Sequence, residues 1–472
     1  MNKSIYTFAS VLNKKLPKML FNRNLEKYIL DWQTKSNRKP LIIRGARQVG
    51  KTTLVEKIGQ NYDIFISLNL EKASHSAYFA NSDDVKRIFD GILLDKNVTL
   101  LPKQKCLLFI DEIQHLPLVI KLLRYFYEDL PEIHVIAAGS LLEFALNEID
   151  SFPVGRVEQV VLHPMNFEEF LLATGKTALF ERFTHCDFSD ATYLAFYKEF
   201  CNYIVVGGMP EAVSQYIENG YSFKNLNTIF ENIWISYLDD TLKYGRNEHN
   251  KKILRYILET SPFTLDRFSF ASIGQTAYQG REVAEGFRQL ERAKVLSLIY
   301  PTTSWEIPII PDFRKRPRIQ LLDTALLLFI NKKLVEFLLN NVVNDQFRGQ
   351  IFNHIALQEN IATSHSLLDK TLFWVRENTD ANAEIDLVLE WQGLVIPVEI
   401  KAGSTGKLRS LHEYMDRCPH HLAVRLLANN FSIETIKTPK GKSFQLVNLP
   451  IFAAGKIREV LNGLELNTLF GD

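Results

Sequence analysis

The stretch Leu41-Ile-Ile-Arg-Gly45-Ala46-Arg47-Gln48-Val49-Gly50-Lys51-Thr52-Thr53 reads as a short buried strand, a glycine loop and the start of a helix. Further apolar runs follow it at Ile64–Leu70, Cys106–Ile110 and His134–Ala138, each separated from the next by a helical pattern. Continuous apolar strands alternating with helices predict a parallel sheet covered on both faces, an α/β fold.

Gly45–Thr52 has the spacing G-x-x-x-x-G-K-[ST], placed between strand and helix, where backbone N–H groups and a helix N-terminus can cradle phosphate oxygens. Lys51 is expected to reach the β- and γ-phosphates, and the Thr52 hydroxyl to bind Mg²⁺. The run Cys106–Ile110 ends in Asp111-Glu112, at the strand edge where open α/β sheets bind ligands. Asp111 is the second candidate for Mg²⁺, and Glu112 the candidate that polarises water for hydrolysis of a γ-phosphate. Ser140, one strand later, is a candidate γ-phosphate contact or, equally, the N-cap of a helix from Leu141. No Asn-Lys-x-Asp loop is present, so ATP rather than GTP is the expected nucleotide. Arg156, in Val154-Gly155-Arg156, is a candidate arginine finger in cis or in trans, or a member of an ordinary ion pair.

Farther along, the chain from about Phe167 to Leu242 reads as helical and aromatic-rich, with a turn at Gly207-Gly208-Met209-Pro210. Three helical patterns and a strand at Val295–Tyr300 then have the outline of a winged helix-turn-helix. A helix at 349–361 and strands at 372–376, 384–390 and 394–401 close the chain. The expected divisions are an ATPase core at 20–160, a helical lid at 161–245, a winged helix-turn-helix at 246–320 and a C-terminal α/β region at 321–455.

Asp386, Glu399 and Lys401 form the spacing Asp-x(12)-Glu-x-Lys. A two-residue hairpin at Gln392-Gly393 would pair Trp391 with Leu394, and thereby Asp386 with Glu399 and Glu384 with Lys401. Glu359 lies within an apolar stripe of the preceding helix and is the candidate fourth member of this cluster. Such a patch can hold Mg²⁺ and activate water for phosphodiester attack, or it is the charged solvent face of a strand.

These motifs, with Gly139-Ser140, Gly155-Arg156, Gly207-Gly-Met-Pro-Glu-Ala212 and Ile396-Pro-Val-Glu-Ile-Lys-Ala-Gly403, occur in an order that resembles the prokaryotic AAA-type P-loop ATPases whose C-terminus carries a domain of unknown function related to restriction endonucleases. The resemblance covers about Leu25 to Gly455. It implies an AAA-like domain, a winged-helix middle region and a C-terminal fold of the PD-(D/E)XK type, with Asp386, Glu399 and Lys401 at the nuclease-motif positions. Asn353 stands where that family often has a glutamate, which removes one negative charge from such a site.

Composition limits the functions further. The 472 residues carry 55 basic and 54 acidic side chains, a formal net charge of +1, so any nucleic-acid contact has to come from a local patch. Arg314, Lys315, Arg316 and Arg318 are the best such cluster. Four scattered cysteines (Cys106, Cys186, Cys201, Cys418) imply neither a zinc site nor a disulfide framework. The short apolar run Ile5–Leu12 is marginal for a signal peptide and lacks a small-residue cleavage site, and no long uncharged apolar segment is present, so the expected compartment is the cytoplasm and no membrane contact is expected. Two functions compete. In one, ATP and Mg²⁺ drive an activity on DNA through a nuclease-like C-terminal site. In the other, ATP controls a conformational switch that engages a protein partner, and the nuclease-like fold is a scaffold.

Overall fold

The computed structural model describes residues 19–80, 82–140, 153–245, 247–273, 278–338, 345–378, 381–403 and 408–464. Its first sheet has five parallel strands: β1 (Leu41–Arg44), β2 (Ile64–Asn69), β3 (Cys106–Asp111), β4 (His134–Ala138) and β5 (Glu158–Val161). Their order is β2-β3-β4-β1-β5, with every pairing parallel. Strands β1, β3 and β4 are buried along their whole length, as a sheet covered on both faces requires. Alternation within β1 sends Ile42 into one core and Leu41 and Ile43 into the other. Helices α1 (Leu25–Thr34), α2 (Lys51–Gly59), α3 (Val85–Asp95) and α4 (Pro117–Asp129) cover this sheet.

A helical region follows: α5 (Phe167–Ala173), α6 (Thr177–Thr184), α7 (Asp190–Val206), α8 (Pro210–Glu218) and α9 (Leu226–Tyr244). The glycine turn expected at 207–210 separates α7 from α8, with Gly207 at φ 75°. Next come α10 (Glu248–Thr260) and α11 (Gly280–Arg292), then the antiparallel pair β6 (Leu296–Thr302) and β7 (Arg318–Leu321). After α12 (Thr324–Ile330) and α13 (Asp345–Ala362), the strands β8 (Leu372–Asn378), β9 (Ala381–Trp391), β10 (Leu394–Ile400), β11 (Leu422–Leu427), β12 (Ser432–Lys437) and β13 (Ser443–Pro450) complete an eight-stranded sheet of order β12-β13-β11-β10-β9-β8-β6-β7.

Sequence reading places a boundary between 320 and 321, but the sheet runs across it. Tyr300, Pro301 and Thr302 of β6 pair in parallel with Leu372, Phe373 and Trp374 of β8. The β9–β10 hairpin has the expected register, Leu394 opposite Trp391 and Val398 opposite Leu387. Gln392 and Gly393 both have positive φ (47° and 82°), the backbone of a tight turn that follows strand twist. One apolar core extends from Leu25 through the helical region to Leu461, so the parts share an interior. Among the described residues, no helix is long and apolar enough to cross a membrane.

Candidate functional site

The loop between β1 and α2 is shaped by its glycines. Gly45 has φ 146°, and a Cβ there would fall 2.3 Å from the Leu162 carbonyl oxygen. Gly50, at φ 95°, is the residue before α2. Lys51 is buried and its Nζ donates to the carbonyls of Gly45 (2.9 Å) and Ala46 (2.7 Å). Burial pulls the Lys51 ammonium down to about 8, against the pull of the Glu112 and Asp111 carboxylates.

Strand β3, in register with β2 so that Asn69 faces Asp111, delivers the acidic pair to the same edge. Asp111 accepts a hydrogen bond from the Thr52 hydroxyl at 2.8 Å and another from the Glu112 N–H at 3.0 Å. Burial raises its carboxyl above the usual range, and the Thr52 bond opposes that shift. The Thr52 hydroxyl and Asp111 carboxylate are a hard-oxygen pair suited to Mg²⁺, directly or through its water. Glu112 is left-handed (φ 52°, ψ 44°), a conformation a side-chain-bearing residue adopts at a cost. Ser140 follows β4 at the same edge and is half-buried; the helix it was expected to cap lies outside the described residues. Ala46 and Val49 are buried supports of the loop, Gln48 has φ 65°, and Thr53 lies half-buried in the first turn of α2.

Several residues grip this loop without any local sequence signal. Arg23 donates to the Val49 carbonyl (2.9 Å) and the His163 carbonyl (2.6 Å), and pairs with Glu169. From α9, the buried Asp240 pairs with Arg47 at 2.5 Å, while the Tyr237 hydroxyl donates to the Arg47 carbonyl at 2.8 Å. The Gly207–Pro210 turn also abuts the loop: a Cβ on Gly50 would lie 3.4 Å from Pro210 Cγ. The Gly208 N–H donates to the wholly buried Asp323 at 2.7 Å, and its carbonyl accepts from the Met165 N–H. Adjoining Asp323, Thr324 bonds His354 and Gln358 of α13.

Arg156 is elsewhere. Its Nε donates to Glu128 at 2.8 Å, one residue before the end of α4. Helix α4 starts beyond the acidic end of β3 and runs back along the sheet for 13 residues, about 20 Å at the helical rise. Arg156 also precedes Glu158, which pairs with Leu41 at the start of β1. It therefore stands at the opposite edge of the sheet from its own phosphate loop, which corrects the cis arginine-finger expectation.

In the C-terminal sheet, Asp386 accepts from the Ile400 N–H (2.9 Å) and the Asn353 amide (3.0 Å). Lys401 pairs with Glu399, whose carboxyl burial and the nearby Asp386 push up to about 7. Arg318, on β7, pairs with Glu384, lies 3.5 Å from Asp386 and stacks 4.6 Å from the centre of the Phe373 ring. A cavity of about 530 Å³ beside these groups is lined by Asn353, Asp386, Lys401, Arg318 and Arg348. A guanidinium and an amide lie on Asp386, while Glu399 Oε2 is buried without a hydrogen-bond partner among the described residues.

One expectation for this end of the chain is corrected. Glu359 is not in the cluster: its carboxylate accepts from the Phe167 N–H (3.1 and 3.2 Å) and the Tyr203 hydroxyl (2.7 Å), against the helical region. Six positions beyond Asn353, it points from another side of α13. The basic run Arg314–Arg318 is divided: Lys315 pairs with Glu377 and Arg318 with Glu384, while Arg314, beside Asp312, and Arg316 are exposed.

Residues 37–171 match the family described as AAA domain. Residues 197–334 match a domain of unknown function, DUF8612, and residues 348–452 another, DUF4143. The stretch that holds the phosphate loop and the acidic strand end is therefore similar to AAA domains. Among solved structures, a Walker-type ATPase of Pyrococcus abyssi is 15% identical over 66% of this chain and 96% of that one, with a TM-score of 0.41. A signal transduction ATPase with numerous domains and a tetratricopeptide repeat sensor, from Pyrococcus horikoshii, is 12% identical over 72% and 49%, with a TM-score of 0.24. PCH-2 of C. elegans is 16% identical over 35% and 49%, with a TM-score of 0.21. No curated protein matches the chain.

Proposed function

We propose that this chain binds Mg-ATP at Gly45–Thr53, hydrolyses it with Glu112 as the water-activating base, and uses the nucleotide to move its helical region: an ATP-controlled conformational switch. The observation that carries the reading is the double hold on the phosphate loop. Lys51 rests on two backbone carbonyls while Arg47 is paired with Asp240 of α9. A triphosphate offers both cations stronger anionic partners than they have now, so its arrival competes directly with the contact between loop and helix.

On this reading, the loop N–H groups and Lys51 bind the phosphates, and Thr52 and Asp111 would hold Mg²⁺, which neutralises charge on the transferring phosphoryl group. Glu112 takes the proton of the attacking water. Movement of α9 and of the Gly207–Pro210 turn is carried by the Gly208–Asp323 bond into α12 and α13. At the far edge of the sheet, Arg156 takes the ion pair with Glu128 and no part in its own phosphate site.

The nucleic-acid reading has less to support it. The Arg318 guanidinium sits where the cluster would need a cation of its own, and α11, within the expected winged-helix region, carries Arg281, Arg288 and Arg292 against Glu282, Glu285 and Glu291, three of each sign. The C-terminal fold is then a scaffold for the partner the switch engages.

The test combines turnover with hydrogen exchange. Glu112→Gln should retain ATP while turnover falls about 100-fold or more, and ATP should speed amide exchange across 226–245. Wild-type turnover in Lys51→Ala, or exchange across 226–245 indifferent to ATP, would sink the proposal.

A further inference from the structure

Glu112 is followed by the one-turn 3-10 helix Ile113–His115, which folds Gln114 back beside it. The Gln114 Nε2 donates to Glu112 Oε2. An ionised carboxylate accepts only, so the amide edge facing it has to be the NH₂ and the carbonyl has to face away. That carbonyl, Gln114 Oε1, is buried and has no hydrogen-bond partner among the described residues. It lies against Gly139 at the end of β4, where a Cβ would come within 2.4 Å of it. Buried polar atoms without partners are rare in folded proteins, and each needs a reason. Here a glycine leaves just enough room for an amide that forgoes one hydrogen bond and makes another to the candidate base.

We infer that Gln114 is a positioning residue for Glu112: its amide fixes one carboxylate oxygen and leaves the other, Oε1, aimed for the attacking water. Gly139 is the second half of the device, because only a residue without a side chain lets the amide occupy that place. This rests on Glu112 being the base, and it adds a residue that touches neither nucleotide nor metal.

The experiment measures single-turnover ATP hydrolysis and ADP affinity in Gln114→Met, Gly139→Ala, Glu112→Gln and the double variant Glu112→Gln/Gln114→Met. Methionine keeps the length of the side chain and removes the donor. Gln114→Met should slow turnover about tenfold or more with ADP affinity and melting temperature unchanged, and Gly139→Ala, which displaces the amide, should do the same. In the Glu112→Gln background Gln114→Met should add nothing, because there is no base left to hold. Equal losses in both backgrounds, or wild-type turnover in Gln114→Met while Glu112→Gln is stalled, overturn the positioning role alone. Wild-type turnover in Glu112→Gln overturns the base and its positioner together.

Discussion

The phosphate loop and the C-terminal cluster are built from the same kinds of group, two carboxylates and a lysine at a strand end, and they are held in opposite ways. Around Lys51, the partners are backbone carbonyls and the Thr52 hydroxyl occupies Asp111. Neutral partners of this sort are readily exchanged for phosphate and Mg²⁺. Around Asp386, the partners are the Ile400 N–H and charged or amide-bearing side chains from elsewhere in the chain: Arg318, Asn353 and, through Glu399, Lys401. The first arrangement is held by partners a ligand can displace, whereas the second already contains a guanidinium and an ammonium beside its carboxylates. A constellation of residue types is therefore not a site until its present partners are known.

Removing one cation from each place should break the two differently. Arg318→Ala takes from Asp386 its neighbouring guanidinium and from Glu384 one of two, Arg267 remaining, and should cost about 1–3 kcal/mol of stability, read as a shifted denaturation midpoint. Lys51→Ala should leave the melting temperature of the free protein near wild type and weaken ATP binding about 10- to 100-fold, measured by titration calorimetry. If Mn²⁺ stabilises the wild-type protein but not Asp386→Asn, the C-terminal cluster is an open metal site after all and the contrast fails.

Glu359 sharpens the comparison through pH. Burial raises its carboxyl to about 8, so the folded protein holds a proton there that the unfolded chain releases near the ordinary glutamate value. Stability should therefore fall as pH rises from about 4.5 to 8, and Glu359→Gln should flatten that slope in melting curves. An unchanged slope would place the proton elsewhere. The smallest effect is expected at the loop's outer hold. Asp240→Ala frees Arg47 from its partner on α9 and should speed nucleotide association about three- to tenfold, seen by stopped flow with a fluorescent ATP analogue.

Much of the nucleotide site could be read in order along the chain because its signals are local: apolar strands, a glycine loop and a carboxylate pair at a strand end. The β9–β10 register was equally legible, since Gln392-Gly393 admits few turn geometries. What escaped depends on distant meetings. Asp240 and Tyr237 reach Arg47 across about two hundred positions, and nothing around them in sequence marks them out. Glu359 was rightly placed on a buried stripe, but helical periodicity gives a face and not the neighbour that covers it. In the basic run at 314–318, charge counting cannot see Glu377 and Glu384 folding back toward Lys315 and Arg318, while Arg314 and Arg316 stay exposed. Gln114 did carry a local cue, two positions after Glu112, whose meaning needed the glycine at 139.

Strand β6 is synthesised some seventy positions before β8, the neighbour with which it pairs in parallel. At ribosomal speeds of about 5–20 residues per second, the edge of Tyr300–Thr302 waits several seconds for Leu372–Trp374 to emerge. Until then that edge is open to pairing with other nascent chains. A polypeptide ended near residue 320 would keep it open permanently, so such a truncation is expected to aggregate.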